Sequence, residues 1–206
     1  MVRRTLIGFL LLCSVCLMSP VGANAQTPPD QAAAFVTDLG KQAFKVLSSK
    51  NTDLSAREAE VRRLLKDNFA LAQIGKFVLG RTWNSATDDQ KREYLGLFAE
   101  YVLVTYTRRL GGYSGETFKI VHAESIGDRD AIVWTEIDRP NGQPLKAGWR
   151  VRQMNSKNYI VDVVVEGVSM IATQRAEFAS IIKAQGMEGL LQTLRLQVSK
   201  YPAQAS

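Results

Sequence analysis

The chain has 206 residues, with 26 Lys and Arg against 20 Asp and Glu, two Cys and one His. That length suits one ordinary domain and is short for two. No Lys/Arg cluster is interleaved with aromatics, so a nucleic-acid surface is excluded, and no P-loop, GxGxxG or GxSxG points to nucleotide or acyl-transfer chemistry.

The first 25 residues read as a secretory signal peptide. Arg3 and Arg4 form a basic start, LIGFLLLCSVCLM (6–18) is an apolar run too short to span a bilayer comfortably, and Ala23-Asn24-Ala25 is a small-x-small cleavage site. Leu12 and Val15 precede the two cysteines, where a lipoprotein signal needs a small residue. Cleavage after Ala25 leaves 181 residues, residues 26–206, as one domain with no cysteine and a formal charge of +4. Disulfide and thiol chemistry are then excluded, and the fold must rest on an apolar core. A zinc site would have to be built from carboxylates and one histidine.

In chain order, QTPPD (26–30) is a turn-rich leader. Phe35, Leu39, Ala43 and Val46/Leu47 give a helix over 31–48. Ser55-x-x-Glu58 reads as a capping box opening a helix that carries Val61, Leu64, Leu65 and Phe69. ALAQIGKFVLG (70–80) is a third helix. Thr87, with Asp88 and Asp89 behind it, starts a fourth whose stripe is Tyr94, Leu97/Phe98, Tyr101 and Val104/Thr105, ending at Gly111-Gly112. The period then changes to two. Segments 116–127, 130–137, 145–154 and 159–167 are strands joined by short turns, which predicts an antiparallel meander. Ser169 caps a helix ended by Gly186, and 187–198 is a last helix. The class is α+β, a single sheet of about four strands packed against N- and C-terminal helices.

Catalytic candidates are thin. His122 alternates with Phe118 and Ile120, which turns it to the apolar side, and no nucleophile accompanies it. Asp162 and Glu166 share a strand face about 13 Å apart at the usual rise per residue, beyond either glycosidase geometry. Glu166 ends its strand where it can bond backbone N–H groups or pair with Arg175. The other face of that strand, Tyr159, Val161, Val163 and Val165, is wholly apolar. A filled core and a lipid pocket use the same residues, so the pattern alone leaves both open.

Two long stretches carry a resemblance: FVLGRTWNSATDDQKREYLGLFAEYVLVTYTRRLGGYSGETFKI (77–120) and YIVDVVVEGVSMIATQRAEFASIIKAQGMEGLLQTLR (159–195). In order and spacing the chain resembles the MlaC / toluene-tolerance auxiliary family of lipid-binding proteins. The resemblance implies a periplasmic carrier, not an enzyme, with no cofactor or metal. Its sheet and helices would enclose an apolar cavity for a phospholipid's acyl chains. Its partners would be an inner-membrane ABC transporter complex and an outer-membrane lipid-exchange complex. Tyr159 stands where many members have Trp, and with VEGVSMIATQR this resembles a hopanoid-associated branch, so phospholipid and hopanoid both stand as cargo. The lipid-contacting set expected from the inward apolar positions is Phe77, Phe98, Tyr101, Val102, Phe118, Trp149, Val151, Val163, Val165 and Phe178. A protein that binds partners through a filled core, with no lipid, is the competing reading. A lipid-acting enzyme using His122 or the Asp162/Glu166 pair is the third.

Overall fold

Helices come first, then strands, then a long helix. The structure, a computed structural model, describes residues 26–49, 53–110, 115–140 and 142–200. The expected signal peptide (1–25), the Gly111-Gly112 helix stop, Asn141 and the tail beyond Lys200 lie outside the described residues.

The first helix, α1 (Pro29–Leu47), starts with a proline at its first position, where a missing N–H costs nothing and the fixed φ suits a helix. The leader before it is more than a turn. Thr27 is fully buried. Its N–H and Oγ1 both donate to the Arg129 carbonyl (3.1 and 2.8 Å), and Oγ1 accepts from the Gln153 N–H (2.8 Å). These bonds tie the start of α1 to the far end of the sheet.

α2 (Leu54–Asn68) begins one residue before the expected capping box. Asp53 occupies the cap position, and the Ser55 hydroxyl bonds the Asp53 carboxylate instead of a helix N–H. α3 (Leu71–Leu79) and the single turn α4 (Thr82–Ser85) follow. α5 (Asp88–Leu110) opens on a reciprocal cap: Thr87 Oγ1 accepts from the Gln90 N–H (3.2 Å), and Gln90 Oε1 accepts from the Thr87 N–H (3.1 Å).

The strands are β1 (Thr117–Ile126), β2 (Asp130–Asp138), β3 (Leu145–Met154), β4 (Lys157–Val165) and a two-residue β5 (Val168–Ser169). They form one antiparallel sheet in the order β1-β2-β3-β4-β5, the expected meander with one short strand added. α6 (Met170–Ser199) runs off β5. Ser169 caps it by accepting from the Ala172 N–H (3.1 Å), and Gly186 (φ 71°, ψ −176°) breaks its direction.

Two bulges correct the expected faces. Val121 is the extra residue between Ile120↔Thr135 and His122↔Trp134. Each bulge slips the alternation by one, so side chains beyond it change face. His122 therefore turns away from Phe118 and Ile120, and more than half of its side chain is exposed. Val161 is the extra residue between Ile160↔Val151 and Asp162↔Arg150. The apolar face of β4 is thus Ile160, Val163 and Val165, opposite Val151, Trp149 and Ala147. Tyr159 lies on the other face, opposite Arg152, with the Lys157 ammonium 4.9 Å from its ring centre.

α1 covers the apolar face. Ala32 and Val36 pack on Ala131, Val133, Val151 and Ile160, all closed to solvent. A second core lies among α3, α5 and α6, where Tyr94, Phe98 and Phe178 meet with ring centroids 5.7–6.4 Å apart. A third joins α2 to α5 through Val61, Leu65 and Leu103. Phe69 touches all three cores. It follows α2, and the Ala70 N–H beyond it donates to the Ile160 carbonyl (3.0 Å), which locks the helices to β4.

Candidate functional site

Burial on the apolar sheet face is graded. At one end Ala131, Val133, Val151 and Ile160 are sealed under α1. At the other, Phe118, Ile137, Leu145, Trp149, Val163 and Val165 are all partly exposed. The registers Phe118↔Ile137↔Leu145, Ile120↔Thr135↔Ala147↔Val165 and Val133↔Trp149↔Val163 place these residues in three successive rows of one face, with Thr135 and Ala147 closed to solvent in the middle row. Phe118 stacks on Phe44 near the end of α1 (centroids 5.5 Å, planes 15° apart). Trp149 fixes its indole by donating to Thr135 Oγ1 (3.0 Å), which in turn donates to the Ala147 carbonyl (3.1 Å). An aromatic and valine surface is therefore held rigid but left unsealed.

A pocket of about 450 Å³ opens between α5 and the two arms of α6. Val104, Phe178, Ile181 and Leu194 give it an apolar floor with Tyr101, and Thr105, Gln174, Glu177, Thr193 and Gln197 add a polar rim. The Tyr101 hydroxyl donates to Gln174 Oε1 (3.3 Å), and Gln174 Nε2 donates to Glu177 Oε2 (2.9 Å). The pocket has this shape because Gly186 reverses α6, so that Phe178 and Ile181 on one arm face Thr193 and Leu194 on the other.

The expected lipid-contacting residues fall into four groups. Tyr101 and Phe178 line the pocket. Phe118, Trp149, Val163 and Val165 lie on the unsealed end of the sheet. Phe98 and Val151 are closed core, and Val102 packs against the helical core partly buried. Phe77 stands outside, 49% exposed, with the Arg175 guanidinium 5.0 Å from its ring centre. Val104, Ile181, Leu194 and the polar rim were not in that expected set, although Val104/Thr105 stood on the stripe expected for the fourth helix. The pairing of α5 with a folded-back α6 is a long-range fact, although Gly186 was expected to end a helix at that point.

The residues considered for chemistry have structural partners. Asp162 is buried, accepting from Ser169 Oγ (2.6 Å) and the Ile171 N–H (3.3 Å). Glu166, at φ 48°, accepts from the Lys146 N–H (2.7 Å) and donates its own N–H to the Lys146 carbonyl (3.1 Å). The backbone bond expected of it is present; the pairing with Arg175 is not, because Arg175 stacks on Phe77. His122 Nε2 is 3.6 Å from Glu124 Oε1, beside Trp134. Among the described residues, no group of three or more His, Cys, Asp or Glu is placed to hold a metal, and no helix is long and apolar enough to cross a membrane.

Two buried polar groups support this frame. Tyr94 donates to the Gly75 carbonyl (2.9 Å), and burial pushes its phenol pKa well up, so it stays a neutral donor. Asp130 sits under Arg150 and Arg152, each donating from Nε at 2.6 Å. Burial alone would raise its pKa, but the two guanidinium groups outweigh it and hold the carboxyl below its ordinary value.

Known proteins share this architecture. The solved structure of a phospholipid-binding protein from Ralstonia solanacearum, in complex with a phospholipid, matches with a TM-score of 0.72 over 82% of this chain and 97% of that one, at 21% identity. The intermembrane phospholipid transport system binding protein MlaC of Haemophilus influenzae is 26% identical over 144 residues, 68% of this chain and 67% of that protein. The family model described as MlaC protein matches residues 37–196, from within α1 to the last turn of α6, and the chain belongs to that family.

Proposed function

We propose that the chain is a periplasmic lipid carrier that holds acyl chains on apolar surface left open by its own packing. It would exchange them with an ABC transport system between inner and outer membranes. The observation that carries this reading is the pocket between α5 and the kinked α6, whose volume lies in the usual range for ligand sites. Tyr101, Val104, Phe178, Ile181 and Leu194 would hold hydrocarbon, and the Tyr101–Gln174–Glu177 chain would meet a polar headgroup at the rim. Phe118, Trp149, Val163 and Val165 offer further apolar surface of the same kind. Removing a methylene from water is worth about 0.8 kcal/mol, so two long chains are retained without covalent chemistry. The names of the Haemophilus and Ralstonia proteins support phospholipid as cargo. Residues 1–25 would direct export and be removed, leaving residues 26–206 as one lipid-binding domain.

A fluorescent acyl-chain probe tests this. The delipidated protein should take it up, and unlabelled phospholipid should displace it. A protein that leaves the probe in solution would instead be a filled-core interaction protein.

A further inference from the structure

In the Leu79-Gly80-Arg81-Thr82-Trp83 segment, Leu79 is closed in the helical core and Trp83 packs against it with part of its surface exposed, and the structure gathers cations around this segment. Lys76 lies 5.4 Å from the Trp83 ring centre and Lys91 5.8 Å. Arg175, from the second turn of α6, lies 5.0 Å from the centre of Phe77. Gly80 permits that approach: a Cβ there would meet Arg175 Nη2 at 3.0 Å, at a backbone φ of +60°. Arg81 follows with an exposed side chain. Lys91 has a carboxylate partner, Asp88 (3.3 Å). Among the described residues, no carboxylate pairs with Lys76, Arg81 or Arg175.

We infer that this face, built from α3, α4 and the start of α6, docks on an anionic phospholipid surface. Unpaired cations favour an acidic surface of either kind, lipid or protein. The aromatic component decides between them. Phe77 is 49% exposed with a guanidinium over its ring, and the partly exposed Trp83 has two ammonium groups near its ring. Rings at headgroup depth with cations at the phosphates are the arrangement of an interfacial anchor. Arg175 neighbours Gln174 on the pocket rim, so docking would bring the pocket mouth towards the leaflet. The inference rests on the carrier reading for its purpose, not for its physics.

The test is flotation of the purified protein with vesicles of phosphatidylcholine alone, or of phosphatidylcholine mixed with phosphatidylglycerol. The protein should float with the mixed vesicles only, and added salt should release it. Lys76→Gln and Arg81→Gln should each lower partitioning about fivefold, and the pair together about twenty-five-fold, with an unchanged circular dichroism spectrum. Phe77→Ser should weaken it as well, and Lys41→Gln, on α1, should leave it unchanged. All variants share one N-terminal segment, so their differences report on the patch alone. Equal partitioning into both vesicles, no partitioning, or wild-type partitioning by the double variant would overturn the inference. So would failure with vesicles while immobilised polyglutamate retains the wild type and releases the double variant, which would make the face a protein-docking one. Extracting lipid from the same preparations separates the two readings. A lipid-free protein that still floats keeps this inference and rejects the carrier; a lipid-loaded protein that does not float does the reverse.

Discussion

Ser169 donates a 2.6 Å hydrogen bond from Oγ to the Asp162 carboxylate while the same Oγ accepts from the Ala172 N–H. One hydroxyl thus joins the middle of β4 to the first turn of α6, and Asp162 adds a bond from the Ile171 N–H. A carboxylate at a helix N-terminus is favourable electrostatically as well. The corner after the valine-rich strand is set by these bonds and by the Glu166–Lys146 pair of bonds. Asp162→Ala should cost about 2 kcal/mol and Ser169→Ala about 1 kcal/mol in chemical denaturation. Wild-type stability in both variants would show that the corner is held by packing alone.

The Asp130 carboxyl predicts a pH dependence. Its folded-state pKa lies below the unfolded value of about 3.9, so its stabilisation is fully present above that pH and is lost as pH falls through the lower folded value. Asp130→Asn should destabilise by about 2 kcal/mol at neutral pH, because two guanidinium groups on side chains only 35% and 27% exposed lose their partner. The gap between variant and wild type should narrow below about pH 4. Urea titrations across that range check it; a gap independent of pH would remove Asp130 from the account.

Gly148 predicts an overpacking effect on the sheet face away from α1. A Cβ there would lie 2.8 Å from Trp134 Cζ3 and 3.0 Å from Ile132 Cδ1. Trp134 is fixed in turn by its bond to Glu124 Oε1 (3.1 Å). Gly148→Ala should cost about 1–3 kcal/mol in thermal unfolding and shift the fluorescence of Trp134. An unperturbed emission spectrum would show that the indole does not lie over this glycine.

These residues also show what could be read in advance. The helix caps at Thr87 and Ser169 and the four-strand meander were legible, because they depend on residues three or four apart or on period-two patterning. The faces of His122 and Tyr159 were not, because the bulges at Val121 and Val161 leave no local mark in runs of β-branched residues. Thr27 looked like leader, and its partners at Arg129 and Gln153 are more than a hundred residues away. For the site, Tyr101 and Phe178 were within reach because aromatic positions on helical stripes must pack somewhere. The rim of Gln174, Glu177 and Thr193 was not, because solvated polar residues look alike until the fold brings them together.

Charge placed on the apolar surfaces should separate cargo binding from folding. Ile181→Asp, on the pocket floor, and Val163→Asp, on the unsealed sheet end, are at partly exposed positions that tolerate a carboxylate in the empty protein. Each should lower lipid affinity about tenfold or more, since burying an unpaired charge against acyl chains is costly. Probe titration on variants with unchanged circular dichroism checks this. Full affinity in Val163→Asp alone would confine the cargo to the α5–α6 pocket; full affinity in both would remove the lipid from either surface.

The most direct measurement is organic extraction and mass spectrometry of the protein purified natively from a periplasmic fraction. The account predicts a lipid with long hydrocarbon in stoichiometric amount, phospholipid by preference, with a hopanoid as the outcome that would change the cargo and keep the carrier. A protein that emerges from the periplasm lipid-free and takes up no added lipid would contradict it, and the open apolar surfaces would then belong to a protein interface.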